Sequence, residues 1–176
     1  MTATAIRPVR ESDVPRLLEI YNHYVAKTHI TFDVEPRLVS GRAAWHSQFA
    51  EYGRYRCLVA EEQGVVIGWA SSSRFKDRAA YDTSVETTVY LSPSKTGRGI
   101  GSRLYEALLA VLDGEDVHRA YGAIALPNAA SIRLHERIGF ERVACYREVG
   151  RKFGRFWDVV VYERAIGKSL ASPGVP

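Results

Sequence analysis

Val85-Glu86-Thr87-Thr88-Val89-Tyr90-Leu91, followed beyond Ser92-Pro93-Ser94-Lys95 by Thr96-Gly97-Arg98-Gly99-Ile100-Gly101-Ser102, decides how this chain is read. The first run is rich in β-branched and aromatic residues and predicts a strand over Ser84–Leu91, which Ser92-Pro93 ends. Glycines then lead into an apolar-periodic segment that predicts a helix over Gly101–Leu112. A strand passing through glycines into a helix turns several backbone N–H groups toward one point, and the positive end of the helix dipole adds to them. Gly97, Arg98, Gly99, Ile100, Gly101 and Ser102 are therefore candidates to cradle a pyrophosphate. Spacing excludes two common phosphate motifs. Ser102 follows Gly101 rather than a lysine, so this is not a P-loop, and Gly97-x-Gly99-x-Gly101 is not GxGxxG. Taken alone, the segment is equally consistent with a plain strand-to-helix turn.

Working outward, Ser12-Asp13-Val14-Pro15 carries a capping serine and a first-turn proline, and Val14, Leu17, Leu18, Tyr21, Tyr24 and Val25 recur at helical spacing to about Ala26. A second helix is expected from about Ser40 to Tyr52, with Trp45 and Phe49 four apart. Cys57–Glu61 and Val65–Ser73 flank a short glycine-containing connection and read as a β-hairpin. Arg74–Asp82 is polar and basic, a loop. Tyr121–Leu126 reads as a strand, Ala129–Ile138 as a helix capped by Gly139, and Glu141–Glu148 and Phe156–Glu163 as closing strands. The order β-α-α-β-β-β-α-β-α-β-β mixes hairpins with helical crossovers, so the expected fold class is α/β with a mixed sheet of α+β type. A single domain over 1–167 and a frayed tail over 168–176 are expected.

The 176 residues, 46% of them hydrophobic, suffice for one core. No run is long and apolar enough to span a bilayer, and no signal peptide is evident, so a cytoplasmic protein with no membrane partner is expected. Cys57 and Cys145 are far apart, lack CxxC spacing, and are expected to be buried reduced thiols; no metal site is expected. The net charge of +4 comes from scattered Lys and Arg. Arg151-Lys152-Phe153-Gly154-Arg155-Phe156-Trp157 is read as a turn between strands, so no nucleic-acid partner is expected.

A second segment, Asn128-Ala-Ala-Ser131-Ile-Arg-Leu-His135-Glu-Arg-Ile-Gly139-Phe140, completes the picture. Together the two segments resemble the GNAT superfamily of acetyltransferases: Gly99 and Gly101 fit its phosphate loop, and Asn128, Ser131, Gly139 and Phe140 fit its later N-x-x-S/A-x-x-x-Y-x-x-x-G-F helix. Thr96 stands where that family usually has Gln or Arg, with Lys95 and Arg98 close by. His135 stands at the usual Tyr. Ile20–Tyr24, Thr31-Phe32 with Glu35-Pro36, Lys76-x-Arg78-x-x-Tyr81-Asp82, Glu86-x-Thr88-Val89-Tyr90 and Leu134-His135-Glu136 resemble phosphinothricin acetyltransferases and their methionine sulfoximine and methionine sulfone relatives, in which His at that position is normal. The resemblance covers Ile6 to about Glu163.

It implies the GNAT fold, a central twisted, mostly antiparallel sheet flanked by about four helices. It also implies acetyl-CoA as co-substrate, a small-molecule amine as acceptor, and a homodimer. The backbone of Val89, Tyr90 and Leu91, with Asn128 and Ser131, would hold the pantetheine arm. Strand alternation puts Glu86, Thr88 and Tyr90 on one face, and Glu86 is the candidate general base. The ordinary alternative is a half-buried glutamate paired with an arginine. His135 is a candidate base, acid or substrate contact, or else a packed helix-face histidine. Lys76, Arg78 and Tyr81 would clamp a substrate anion, with Phe32 and Thr88 lining the pocket, unless Arg74–Arg78 is simply a solvated loop. Two other functions share the coenzyme site: acetylation of protein N-termini or other amines, and a non-enzymatic acyl-CoA-binding module that would need neither Glu86 nor His135.

Overall fold

In the computed structural model, which describes residues 3–167, β1 (Ala5–Pro8), β2 (Cys57–Glu62), β3 (Val65–Arg74), β4 (Ser84–Leu91), β5 (Arg119–Ala125), β6 (Glu141–Lys152) and β7 (Arg155–Ala165) form one sheet. Its order is β1-β2-β3-β4-β5-β7-β6. Every neighbouring pair is antiparallel except β4 with β5. The helices are α1 (Val14–Lys27), α2 (Arg42–His46), α3 (Ile100–Leu112) and α4 (Ala129–Arg137), joined by short 3₁₀ turns. The expected tail over 168–176 lies outside the described residues.

Alternation along β2 shows how the core is divided. Cys57 and Val59 pack with Leu17, Tyr21 and Val25 of α1 on one face, while Leu58 and Ala60 join Leu104, Leu108 and Leu112 of α3 on the other. The sheet is thus a middle layer covered on both sides. The β2–β3 and β6–β7 turns use Gln63-Gly64 and Phe153-Gly154, both pairs at positive φ, the two-residue geometry whose twist matches the strands. That turn keeps β6 and β7 paired as far as Lys152↔Arg155, so both strands outrun the expected Glu141–Glu148 and Phe156–Glu163.

Two expectations need correction. The helix expected over Ser40–Tyr52 is a 3₁₀ turn at Val39–Gly41 followed by only Arg42–His46. Gln48 N–H and Phe49 N–H then bond three residues back, to Trp45 and His46 C=O, and this tighter winding ends the helix. Trp45 and Phe49 nonetheless meet, their ring centroids 4.8 Å apart. Cys57 is buried as expected, but Cys145 is exposed, because its apolar run forms the outer edge strand β6 rather than core. Among the described residues no helix is long and apolar enough to cross a membrane.

The feature that positions the site is a parting of strands. β4 and β5 pair only at Ser84↔Arg119, Val85↔Ala120 and Glu86↔Tyr121. Beyond Glu86, β4 stays with β3 to Leu91 and β5 stays with β7 to Ala125. A gap therefore opens in the middle of the sheet, lined by backbone that no strand pairs.

Candidate active site

The gap leads into a cavity of about 450 Å³ whose lining includes Phe32, Glu86, Thr88, Val89, Tyr90, Asn128, Ser131 and His135. Its floor on one face is the cross-strand set Trp69↔Tyr90, Ser71↔Thr88 and Ser73↔Glu86. The Ser92 N–H bond to Ile67 C=O fixes the β3–β4 alternation: Glu86, Thr88 and Tyr90 turn their backbone groups toward β3, and Val89 and Leu91 turn theirs toward the gap. The Leu91 C=O accepts from the Tyr24 hydroxyl at 2.7 Å. Val89 N–H and C=O and Leu91 N–H thus face the gap.

The glycine loop takes the expected form. Gly97 and Gly99 sit at φ +74° and +75° with open space where a Cβ would be, a conformation costly to other residues. Gly99 caps α3 without any side-chain bond to the first turn, so N–H groups of the Ile100–Ser102 turn have no intrahelical acceptor. Gly101 packs against Leu91 and Leu134. These features fit a pyrophosphate. The nearby cations are disposed otherwise than the sequence suggested. Lys95 Nζ donates to Glu62 at 2.9 Å and Arg98 donates to the same carboxylate at 3.0 Å. Lys95, with the Thr4 hydroxyl, holds the Glu62 carboxyl down at about 2. Nothing in the sequence spacing linked Glu62, at the hairpin turn, to this loop.

Asn128 caps α4, its Oδ1 accepting from Ser131 N–H at 3.1 Å. The side chain's remaining polar group is the Nδ2 amide, a donor beside the gap.

Glu86 is half-buried, and burial pushes its carboxyl above the ordinary value. Its carboxylate has no hydrogen-bond or ion-pair partner among the described residues, so the arginine-paired alternative is not what the structure contains. A half-buried, unpaired carboxylate in a cavity is a costly arrangement of the kind found at functional sites.

His135 lies on the opposite face of β4. It is 4% exposed, with Nδ1 2.8 Å from Ser131 C=O and Nε2 3.1 Å from the Tyr105 hydroxyl. Burial, partly offset by the Ser131 bond, lowers its pKa. Tyr105 in turn meets Thr87 Oγ1. Sequence alternation placed Thr87 away from Glu86 but gave no sign that it reached Tyr105 on α3.

Phe32 is held against β6. Lys152 Nζ donates to Thr31 C=O at 2.8 Å, and a Cβ at Gly150 would lie 2.1 Å from the Phe32 ring. Lys76, Arg78 and Tyr81 are not brought into the cavity. They sit on the exposed loop after β3, Lys76 Nζ lying 5.0 Å from the rings of Phe75 and Tyr81. Among the described residues, a cationic side chain that does line the cavity is Arg37, which donates to Asp33 at 2.8 Å.

Comparison with known proteins places the chain in a family. The acetyltransferase (GNAT) family model matches residues 17–140. The chain is 53% identical, over 92% of its length and 95% of the other's, to a phosphinothricin N-acetyltransferase of Streptomyces coelicolor. It is 33% identical, over 97% of its length and 99% of the other's, to a methionine sulfoximine/methionine sulfone acetyltransferase of Pseudomonas aeruginosa. A GNAT superfamily phosphinothricin acetyltransferase from Sinorhizobium meliloti, solved with acetyl-CoA, superposes with a TM-score of 0.90 at 31% identity, covering 99% of this chain and 96% of that one. The family match over residues 17–140 and the 53% identity show that the chain belongs to the GNAT family of acetyltransferases and is phosphinothricin acetyltransferase-like.

Proposed function

We propose that this enzyme transfers an acetyl group from acetyl-CoA to the primary amine of a small amino-acid-like substrate of the phosphinothricin, methionine sulfoximine or methionine sulfone type. The observation that carries this reading is the Glu86 carboxylate, unpaired among the described residues, in a cavity that opens onto the Val89 backbone and the Leu91 N–H. The relatives' substrates support the amine class.

Acetyl-CoA supplies the acyl group as a thioester. The Gly97–Ser102 turn receives the pyrophosphate on its backbone N–H groups. Val89 and Leu91 backbone and the Asn128 amide hold the pantetheine arm, with Ser131 beside it. The Val89 N–H, aimed into the gap, stabilises the oxyanion that develops on the acyl oxygen. A protonated amine has no lone pair to attack with, so Glu86 first accepts its proton. A raised carboxyl pKa narrows the gap to the ammonium and suits that task. Thr88, on the same face, and Phe32 bound the amine's approach.

Lys76, Arg78 and Tyr81 form the anion clamp of this reading. Their loop leaves β3 just past Ser73, which lines the cavity. Arg78→Ala is expected to raise the KM for the amino acid several-fold while leaving that for acetyl-CoA unchanged; equal effects on both would remove the clamp.

The enzyme acts as a homodimer in this reading. β6 is a twelve-residue edge strand exposing Val143, Tyr146 and Val149, with Phe153 and Phe156 nearby, a surface that isolated proteins usually protect. Val149→Glu is expected to shift the enzyme toward monomer in analytical ultracentrifugation; a wild-type monomer would overturn the assignment.

The activity is tested by incubating the enzyme with acetyl-CoA and a panel of phosphinothricin, methionine sulfoximine, methionine sulfone, polyamines and peptides. Coenzyme A release with the first three is expected. Turnover of peptides alone would favour protein N-termini, and binding of acetyl-CoA without any turnover would favour a non-enzymatic module.

A further inference from the structure

Four polar contacts run in line behind the cavity wall. Thr87 Oγ1 lies 2.9 Å from Tyr121 C=O and 2.5 Å from the Tyr105 hydroxyl; that hydroxyl lies 3.1 Å from His135 Nε2; and His135 Nδ1 lies 2.8 Å from Ser131 C=O. Both ends are backbone carbonyls, which only accept, and at Nδ1 the Ser131 carbonyl at 2.8 Å is much closer than the Ser131 hydroxyl at 3.4 Å. Nδ1 therefore carries a hydrogen, and the Thr87 O–H points at Tyr121. With a neutral imidazole the line holds three protons, on Nδ1, Tyr105 and Thr87, for its four contacts. Two oxygens 2.5 Å apart need a proton between them, so the Tyr105 O–H is directed at Thr87. The Nε2 lone pair is then left facing the Tyr105 oxygen with no hydrogen between them. One proton added at Nε2 completes the line: Nε2–H donates to Tyr105, Tyr105 to Thr87, Thr87 to Tyr121, and Nδ1–H to Ser131.

We propose that Tyr105 and Thr87 are positioning residues that make His135 a buried proton acceptor, its added proton held between Nε2 and the Tyr105 oxygen. Thr87 and His135 both line the cavity, while Tyr105 is fully buried behind them. The line lies on the face of β4 from which α3 and its glycine loop approach, opposite Glu86. The use of His135 as a proton acceptor in the reaction rests on the acetyl-transfer reading, whereas the proton holding itself does not.

The surroundings are compatible. Burial pushes the Tyr105 phenol well above its ordinary value, so it keeps its own proton. Against burial, which lowers His135, the Ser131 carbonyl works in the other direction. From β7, Tyr162 stands with its ring 5.9 Å from the imidazole, its hydroxyl donated to Glu136. Phe140 packs at 5.2 Å and Gly122 of β5 lies against Nε2. Glu86, across β4, acts on Tyr105.

The test is a ¹⁵N NMR titration of the His135 imidazole in the whole enzyme without substrates. In the wild type, the neutral ring should show Nδ1 protonated and Nε2 bare. Tyr105→Phe removes the acceptor for Nε2–H, and Thr87→Val redirects the Tyr105 proton onto Nε2. Each should increase the acid constant of His135 about tenfold or more, on the scale of one buried hydrogen bond, and Thr87→Ser should restore it. The acid limb of the kcat–pH profile should move to lower pH by the same amount. An unchanged acid constant in folded Tyr105→Phe and Thr87→Val, or a neutral wild-type ring protonated at Nε2, would overturn the proposal. A shifted constant in an enzyme that acetylates no amine would uphold the proton line and count only against the acetyl-transfer reading.

Discussion

Glu86→Gln is expected to lower kcat by about 10²-fold or more, the usual span for losing a positioned base, while raising Tm at neutral pH. The two effects have one cause. The carboxylate is half-buried with no partner among the described residues, and burial raises its pKa above the ordinary 4.5. A group whose pKa is raised on folding contributes most to stability in acid, where it is protonated, and that contribution is lost as pH rises through its folded value. At neutral pH the wild type therefore holds an ionised, partly desolvated carboxylate, which the isosteric amide does not. The stability advantage of the variant should grow from pH 4 to pH 7 and vanish in acid. Thermal melts across that range, alongside kcat, check it. A variant with reduced activity and reduced stability would mean that Glu86 holds the fold rather than the proton.

Gly122→Ala has the second large effect. A Cβ at Gly122 would lie 2.5 Å from His135 Nε2 and 2.8 Å from Cδ2. The ring cannot step aside easily, since it is 4% exposed, bonded through Nδ1 to Ser131 C=O, and packed against the Tyr105 and Phe140 rings. Overpacking of this sort costs about 1–3 kcal/mol, a fall of roughly 2–4 °C in Tm for each kcal/mol in a chain of this size. Because the displaced atom is Nε2, kcat should fall as well, beyond what the loss of folded protein explains. Gly114→Ala is the control. No atom lies within 4 Å of a Cβ there, so Tm and kcat should stay near wild type. Unaltered stability in Gly122→Ala would mean that the histidine is looser than its contacts indicate.

What the sequence made legible follows from the range of the interactions involved. The strand, the glycine loop and the capped helix at Asn128 are local: alternation, positive φ and a side chain reaching three residues along can all be read from neighbouring letters. Glu86 and Thr88 were placed on one face by the same logic. The Thr87–Tyr105–His135 line joins three elements and was invisible, as was the hold of Glu62 on Lys95 and Arg98, 33 and 36 residues away. The α2 segment misled because Trp45 and Phe49 do meet, but through tightened turns rather than a continued helix. Cys145 misled because an apolar run reads the same in a core strand and in an exposed edge strand. The parting of β4 from β5 was likewise beyond local reading, since it depends on which partner each strand keeps.

The central claim is that the gap between β4 and β5 holds the coenzyme arm while Glu86 meets the amine from the other face. A crystal structure with coenzyme A and phosphinothricin tests this most directly. The pantetheine arm is expected to be bonded to Val89 and Leu91 backbone, and the amine to lie within about 2.6–3.2 Å of Glu86 or one water away. An amine bound away from Glu86, or a pantetheine arm that leaves the gap between the strands empty, would contradict it.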